Sequence, residues 1–133
     1  MTTSSRSYNM SRIRSKDTKP ELIVRHWLWD HGYRYRKNVK RLPGTPDIVL
    51  RKYGICIFVH GCFWHGHNHI TYPKTNADFW RNKIERNKQR DMDDKQKLLD
   101  MGWNVITVWE CQLKKDKLEQ SMREVEHWIN YSL

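Results

Sequence analysis

Cysteine is scarce in this chain and does not form a framework. Cys56, Cys62 and Cys111 are an odd set of three with no regular spacing. That excludes a disulfide scaffold and points to a reducing compartment. Long apolar runs are missing too. The longest, Ile55 to Val59, is strand-sized and far short of a membrane span, so no membrane partner is expected. Met1 to Ser15 is rich in Ser and Arg and holds no apolar stretch, so no secretory signal is read there. No internal repeat or low-complexity linker divides the chain. Acidic side chains are in deficit: 15 Asp+Glu stand against 25 Lys+Arg, a formal charge of +10 over 133 residues. The excess runs along the whole chain, which implies a polyanionic partner, with nucleic acid first. The expected organisation is a flexible basic arm over residues 1–15 and a single domain over 16–133, long enough for a real core.

What the chain has in plenty sits in one decapeptide, His60-Gly61-Cys62-Phe63-Trp64-His65-Gly66-His67-Asn68-His69. No packing requirement calls for that mixture. Imidazole and thiolate are preferred zinc donors, and imidazole carries protons near neutral pH. Phe63-Trp64 inside a polar loop needs an aromatic partner, and in a basic protein that partner is a base stack. The chain also holds seven tryptophans, more than a core of this size requires.

Taken in order, Met10 to Arg14 reads as one helical turn, with Met10 and Ile13 on one side. Thr18-Lys19-Pro20-Glu21 marks a helix start, with a Thr cap, Pro in the first turn and Glu three after the cap. The helix runs to about His31 and stops at Gly32, with Leu22, Ile23, His26, Trp27 and Trp29 expected on its buried face. Tyr33-Arg34-Tyr35-Arg36 alternates like a strand. A turn over Leu42 to Pro46 leads into a strand, Asp47 to Leu50. A tight connection, Arg51 to Gly54, joins it to the most apolar strand, Ile55 to Val59. That strand is expected to be central and to deliver the His-rich loop at its C-terminal end. Thr75 to Asp78 opens a second helix with a capping-box-like pattern, and Gly102 closes it. Trp103 to Glu110 is a fourth strand. Residues 114–130 form a last amphipathic helix with Leu118, Met122, Val125 and Ile129 inward. The expected fold is α/β, order α-β-β-β-α-β-α, a mixed sheet flanked by helices.

Pro46-Asp47 opens the second strand, where a carboxylate suits a hard divalent cation facing a phosphate. The dipeptide carries little alone, but its place in the element order resembles the PD-(D/E)xK (restriction-endonuclease-like) nucleases. The third strand departs from their pattern: Phe58-Val59-His60 holds neither the usual acid nor the usual Lys. One branch lacks them as well. From Asn9 onward the chain resembles the very-short-patch-repair endonucleases, the Vsr family of T:G mismatch nickases. The resemblance rests on Asn9-Met10, Asp17-Thr18, Pro43-Gly44, Pro46-Asp47, Phe58 and His60 to His65. It continues through Phe79-Trp80, Lys83-Ile84, Arg90-Asp91, Gly102-Trp103 and Val108-Trp109-Glu110-Cys111.

The resemblance implies a Mg²⁺-dependent strand nickase that cuts 5′ to the mispaired T and leaves a 5′-phosphate. Residues 16–133 would then be a single endonuclease domain. Asp47 would bind Mg²⁺, together with the backbone carbonyl of Val59, where the family has Thr. His65 would be the general base, a role its pKa range suits. Glu21 would orient it or a metal-bound water, and His60 would lie beside the scissile phosphate. Cys62, His67, His69 and Cys111 would close a structural zinc tetrahedron, with His69 standing where the family usually has Cys. Phe63, Trp64 and Trp80 would form a wedge entering the stack at the mismatch, with Met10 and Ile13 inserting from the minor-groove side. The partners implied are double-stranded DNA with a T:G mismatch, a cytosine-5 methyltransferase and general mismatch-repair proteins, for a cytoplasmic, nucleoid-associated bacterial monomer. Two rival readings remain: a non-catalytic zinc-stabilised DNA-binding module, and a nuclease of the same fold that cuts both strands.

Overall fold

The structure is a computed structural model that describes residues 18–62 and 75–131. Its first helix, α1 (Lys19–Asp30), starts where the sequence places it. The Thr18 hydroxyl accepts from the Glu21 N–H at 3.4 Å, and the Glu21 carboxylate accepts from the Thr18 N–H at 3.3 Å. This reciprocal capping box satisfies donors that the first turn leaves open. The buried face differs from the expected one. Glu21, Val24, Arg25, Trp27 and Leu28 are buried, while Leu22 and Trp29 are 42 % and 52 % exposed. Glu21, Val24, Arg25 and Leu28 are spaced i, i+3, i+4, i+7, one helical stripe. Two of these four are charged, and they face each other within that stripe. An inward stripe with that content cannot be found by looking for apolar residues.

Four strands form one sheet in the order β1-β2-β3-β4: Arg36–Lys37, Ile48–Leu50, Ile55–His60 and Asn104–Trp109. The β1–β2 and β2–β3 pairs are antiparallel, and the β3–β4 pair is parallel. A mixed α/β fold with a four-stranded sheet is therefore present, and β3 is internal to it. The first strand is shorter and later than expected. Tyr33 does not pair in the sheet; it is buried, and its hydroxyl donates to Glu126 at 3.0 Å.

Alternation along the strands divides the core into two sides. Ile48, Leu50, Ile55, Ile57, Val59 and Val108 pack with α1 residues Val24, Trp27 and Leu28. The last helix, α3 (Leu118–Tyr131), adds Met122, Val125 and Ile129 to this side. The opposite faces, Val49, Cys56 and Phe58, pack with Leu42 and with Leu98 of α2 (Ala77–Asp100). Cys56 is fully buried, and burial pushes its thiol up to about 11, as suits a small core hydrophobe. Trp27 Nε1 donates to Glu119 at 3.2 Å, tying α1 to α3.

Two ends differ from expectation. Asn76 caps α2 from a left-handed backbone (φ 59°) with no side-chain hydrogen bond, so the capping box read at Thr75 to Asp78 is absent. After β4 the chain makes a 3-10 turn, Glu110–Leu113, and α3 begins only at Leu118. The 3-10 turn buries Leu113 in the core, and a turn through Lys117, whose N–H donates to the Lys114 carbonyl, delays the helix. Among the described residues, no helix is long and apolar enough to cross a membrane.

Candidate active site

The antiparallel β2–β3 pair brings the start of β2 to the end of β3. Asp47, the residue before β2, is there. Its approach is a tight turn. Gly44 has φ 76°, and a Cβ there would lie 3.0 Å from Asp94 Cβ and 3.1 Å from Phe58 Cε1. Both the sign of φ and the space demand glycine. Thr45 follows with φ 47°, an uncommon conformation for a β-branched residue. The next segment is clasped from the β1 side: the Asn38 N–H donates to the Asp47 carbonyl at 3.0 Å, and the Val39 N–H to that of Pro46 at 3.2 Å.

The Asp47 side chain turns inward, where it is 8 % exposed. Its Oδ2 accepts the Val59 N–H at 2.6 Å. Burial pushes its carboxyl up to about 7; the Val59 bond opposes this, the charge of Glu21 reinforces it, and Arg25 opposes it. Glu21 is 1 % exposed, and its Oε1 lies 3.9 Å from a guanidinium nitrogen of Arg25. Among the described residues, that oxygen accepts no hydrogen bond. The first helix thus sets a buried carboxylate and a buried guanidinium against the Asp47 carboxylate. The charge of Glu21 acts on the Asp47 carboxyl, and carboxylate oxygens are donors that suit a hard cation.

His60 closes β3. Its Nε2 lies 4.0 Å from Asp91 Oδ2 of α2, and its ring stands between Phe58 and Trp109 at centroid distances of 5.6 and 5.4 Å. The carboxylate and the two rings border the imidazole.

The parallel ladder pairs His60 with Trp109. Just past the end of that ladder, Cys62 and Cys111 meet, the latter from the 3-10 turn Glu110–Leu113. The two side chains are in hydrogen-bond contact. Burial pushes the Cys62 thiol up, and the Cys111 side chain adds to the rise. Two thiols brought together from the ends of adjacent strands suit a soft cation such as zinc. Among the described residues, no three His, Cys, Asp or Glu side chains gather closely enough to hold a metal. On α2, half-buried Trp80 meets Phe79 edge-on at 5.3 Å, with the Lys83 ammonium 5.9 Å from its ring.

Of the expected site residues, Asp47, Glu21, Val59 and His60 therefore lie around the ends of β2 and β3, with Cys62 and Cys111 beyond them. Met10, Ile13, Phe63, Trp64, His65, His67 and His69 lie outside the described residues. Sequence reasoning missed Arg25 and Asp91 as neighbours of this site. The spacing of Arg25 four after Glu21 was a usable signal. Asp91 stood out only as part of the Arg90-Asp91 match in the resemblance, and its position on a solvated helix did not point to His60.

Residues 1–71 match the family model for DNA mismatch endonuclease Vsr. The chain is 49 % identical to the type II nicking enzyme V.NmeAIP of Neisseria meningitidis serogroup A, with 94 % of each chain covered. It is 46 % identical to the type II nicking enzyme V.XorIIP of Xanthomonas oryzae, covering 90 % of each. It is 40 % identical to the DNA mismatch endonuclease Vsr of Escherichia coli, over 93 % of this chain and 83 % of that one.

Proposed function

The chain belongs to the DNA mismatch endonuclease Vsr family, and from that premise we propose that it nicks one DNA strand 5′ to the mispaired T of a T:G pair. Its relatives are named as endonucleases and nicking enzymes, which supports a DNA nicking endonuclease on a nuclease-type fold. The observation that carries the reading is the buried Asp47–Glu21 carboxylate pair at the open end of β2 and β3. A protein that only bound DNA would bury no such pair against its own sheet, because each buried charge costs several kcal/mol of desolvation.

Asp47 and the Val59 carbonyl would hold the divalent cation. In an extended residue the N–H and C=O face the same neighbouring strand. The Val59 carbonyl therefore faces the edge to which its N–H donates, where Asp47 sits. When bound, Mg²⁺ would neutralise charge on the phosphate under attack. Glu21, capped into the first turn of α1, would accept a hydrogen bond from the attacking water. His60, beside Asp91, would donate to a non-bridging phosphate oxygen, and His65 would take the water's proton. Cys62 and Cys111, with His67 and His69, would hold a structural zinc that ties β3 to β4. The Val59 position needs only a backbone carbonyl, so Val can replace Thr there without loss of the ligand.

The biological setting follows from the substrate. A T:G pair arises when 5-methylcytosine is deaminated, so the partners proposed are a cytosine-5 methyltransferase and the general mismatch-repair proteins, at the nucleoid. The test is a nicking assay on matched T:G and T:A duplexes, each strand labelled separately, with Mg²⁺ and with chelator. Single-strand cutting of T:G alone, abolished by chelator, is the expected result. Cutting of both strands, equal cutting of T:A, or binding without cutting would overturn the reading.

A further inference from the structure

A basic cleft of about 420 Å³ opens beside the acidic pair, lined by Arg25, Tyr35, Arg36, Lys37, Val39 and Arg41. Four of the six are cations, and none is acidic. Among the described residues, no ion pair joins Arg36, Lys37 or Arg41 to a carboxylate, whereas Arg81 and Lys88 elsewhere on the surface each have one and Arg123 has two. Arg36 and Lys37 form β1, the edge strand, and both are exposed. Arg25 is 4 % exposed, so one wall of the cleft is a buried guanidinium fixed by the fold. Like charges gathered round a concave surface repel one another, and a bound anion offsets that repulsion.

The cleft is mechanically joined to the carboxylate pair. The chain leaving β1 donates from Asn38 to the Asp47 carbonyl and from Val39 to that of Pro46. Arg25 belongs to both places, since it lines the cleft and faces Glu21 at 3.9 Å. An anion seated here is held in register with Asp47 by one backbone hydrogen-bond pair and one shared side chain.

We propose that this cleft binds one backbone phosphodiester of the DNA, distinct from the phosphate that is cut, and so sets the register of the duplex at Asp47. The proposal rests on the endonuclease reading above. Phosphate contacts position a duplex without reading its sequence. Guanidinium groups suit the task because two N–H donors match two non-bridging oxygens.

The test compares Arg36→Gln/Lys37→Gln/Arg41→Gln with wild type and with Arg51→Gln, a charge removed at the far end of β2. Arg25 is left intact because it faces Glu21. Duplex affinity is measured by fluorescence anisotropy over a series of NaCl concentrations, with a melting curve for each protein. The triple variant should melt like wild type and bind T:G and T:A duplexes about ten-fold or more weaker. Its slope of log affinity against log salt should be shallower by ~0.9 for each phosphate that is no longer neutralised. Arg51→Gln should match wild type. A second arm places one neutral methylphosphonate at each position in turn. One position should weaken wild type but leave the triple variant unaffected. Unchanged affinity and slope, or no single coupled position, would overturn the cleft. A wild type that nicks T:G selectively without a coupled phosphate removes the cleft alone. A coupled phosphate in a protein that never nicks keeps the cleft and removes the endonuclease reading.

Discussion

The backbone N–H of Val59 donates to Asp47 Oδ2 at 2.6 Å, across the antiparallel β2–β3 pair. A short bond from a fixed donor favours the ionised carboxylate. Burial and the nearby Glu21 charge outweigh it, and the carboxyl sits up at about 7. The metal-free site is thus a stored electrostatic strain that a proton or a cation relieves.

That strain has a measurable pH signature. In metal-free protein the Asp47 value of about 7 lies above its ordinary 3.8, so the folded state holds the proton more tightly than the unfolded chain. Stability must then fall as pH rises from about 4 to about 7 and level off above it. The rise from 3.8 to about 7 corresponds to as much as ~4 kcal/mol. Asp47→Asn removes the titration, so its stability relative to wild type should climb across that window. Urea unfolding of both proteins in chelator at several pH values checks this. A pH-independent difference would mean that the carboxyl is hydrated.

Asp47→Ala should abolish nicking while leaving mismatch binding in place, because the carboxylate serves chemistry and not the core. Glu21→Gln should be milder. Glutamine can still complete the capping box with Thr18, so the melting temperature should hold while the rate falls by roughly ten- to a hundred-fold. Single-turnover nicking beside a melting curve separates the two effects. Equal losses in both variants would contradict the order of roles.

Metal content tests the strand-end cysteines. Protein purified without added metal should carry about one zinc per chain, the number a single four-ligand site takes. Cys111→Ser should lose that zinc and melt well below wild type, because binding free energy here is also folding free energy. Elemental analysis with calorimetry measures both. A zinc-free wild type of undiminished stability would remove the site.

The aromatic wedge predicts a split between stability and affinity. Trp80 is half-buried beside Phe79, which is 53 % exposed. Trp80→Ala and Trp64→Ala should each weaken T:G duplex binding by ~1–3 kcal/mol, the usual worth of one stacked aromatic. Neither should approach the ~3–5 kcal/mol of folding stability that truncating a core aromatic costs. Melting curves and mismatch affinities of the two variants decide it. A large stability loss with unchanged affinity of the folded fraction would place the rings in the core.

The turn before Asp47 offers a check on the backbone. Gly44→Ala should cost ~1–3 kcal/mol, since alanine must take φ 76° and meet Asp94 and Phe58 at 3.0–3.1 Å. Nicking should fall further than stability alone explains, because the turn aims Asp47. Chemical denaturation and the nicking rate together report both parts.

Much of this protein is written in local patterns. The capping box at Thr18 and Glu21, the apolar run Ile55 to Val59, and the inward Met122, Val125 and Ile129 are each set by residues within a few positions of one another. The periodicity of strands and helices is a short-range property, so these elements could be read without coordinates. Pro46-Asp47 could be singled out from the order of elements around it, whereas Cys62 and Cys111 were linked through the resemblance to the Vsr family. Tertiary structure decided which charged side chains go inside. Nothing in the string Glu21-Leu22-Ile23-Val24-Arg25 says that its glutamate and arginine are buried while Leu22 is left in water. That outcome depends on what the opposing sheet end presents, and the sheet end presents Asp47. The meeting of Cys62 and Cys111 just past the β3–β4 ladder, and the approach of Asp91 to His60, likewise join residues far apart in sequence. Such pairings are fixed by packing across the sheet, and local sequence carries no record of them.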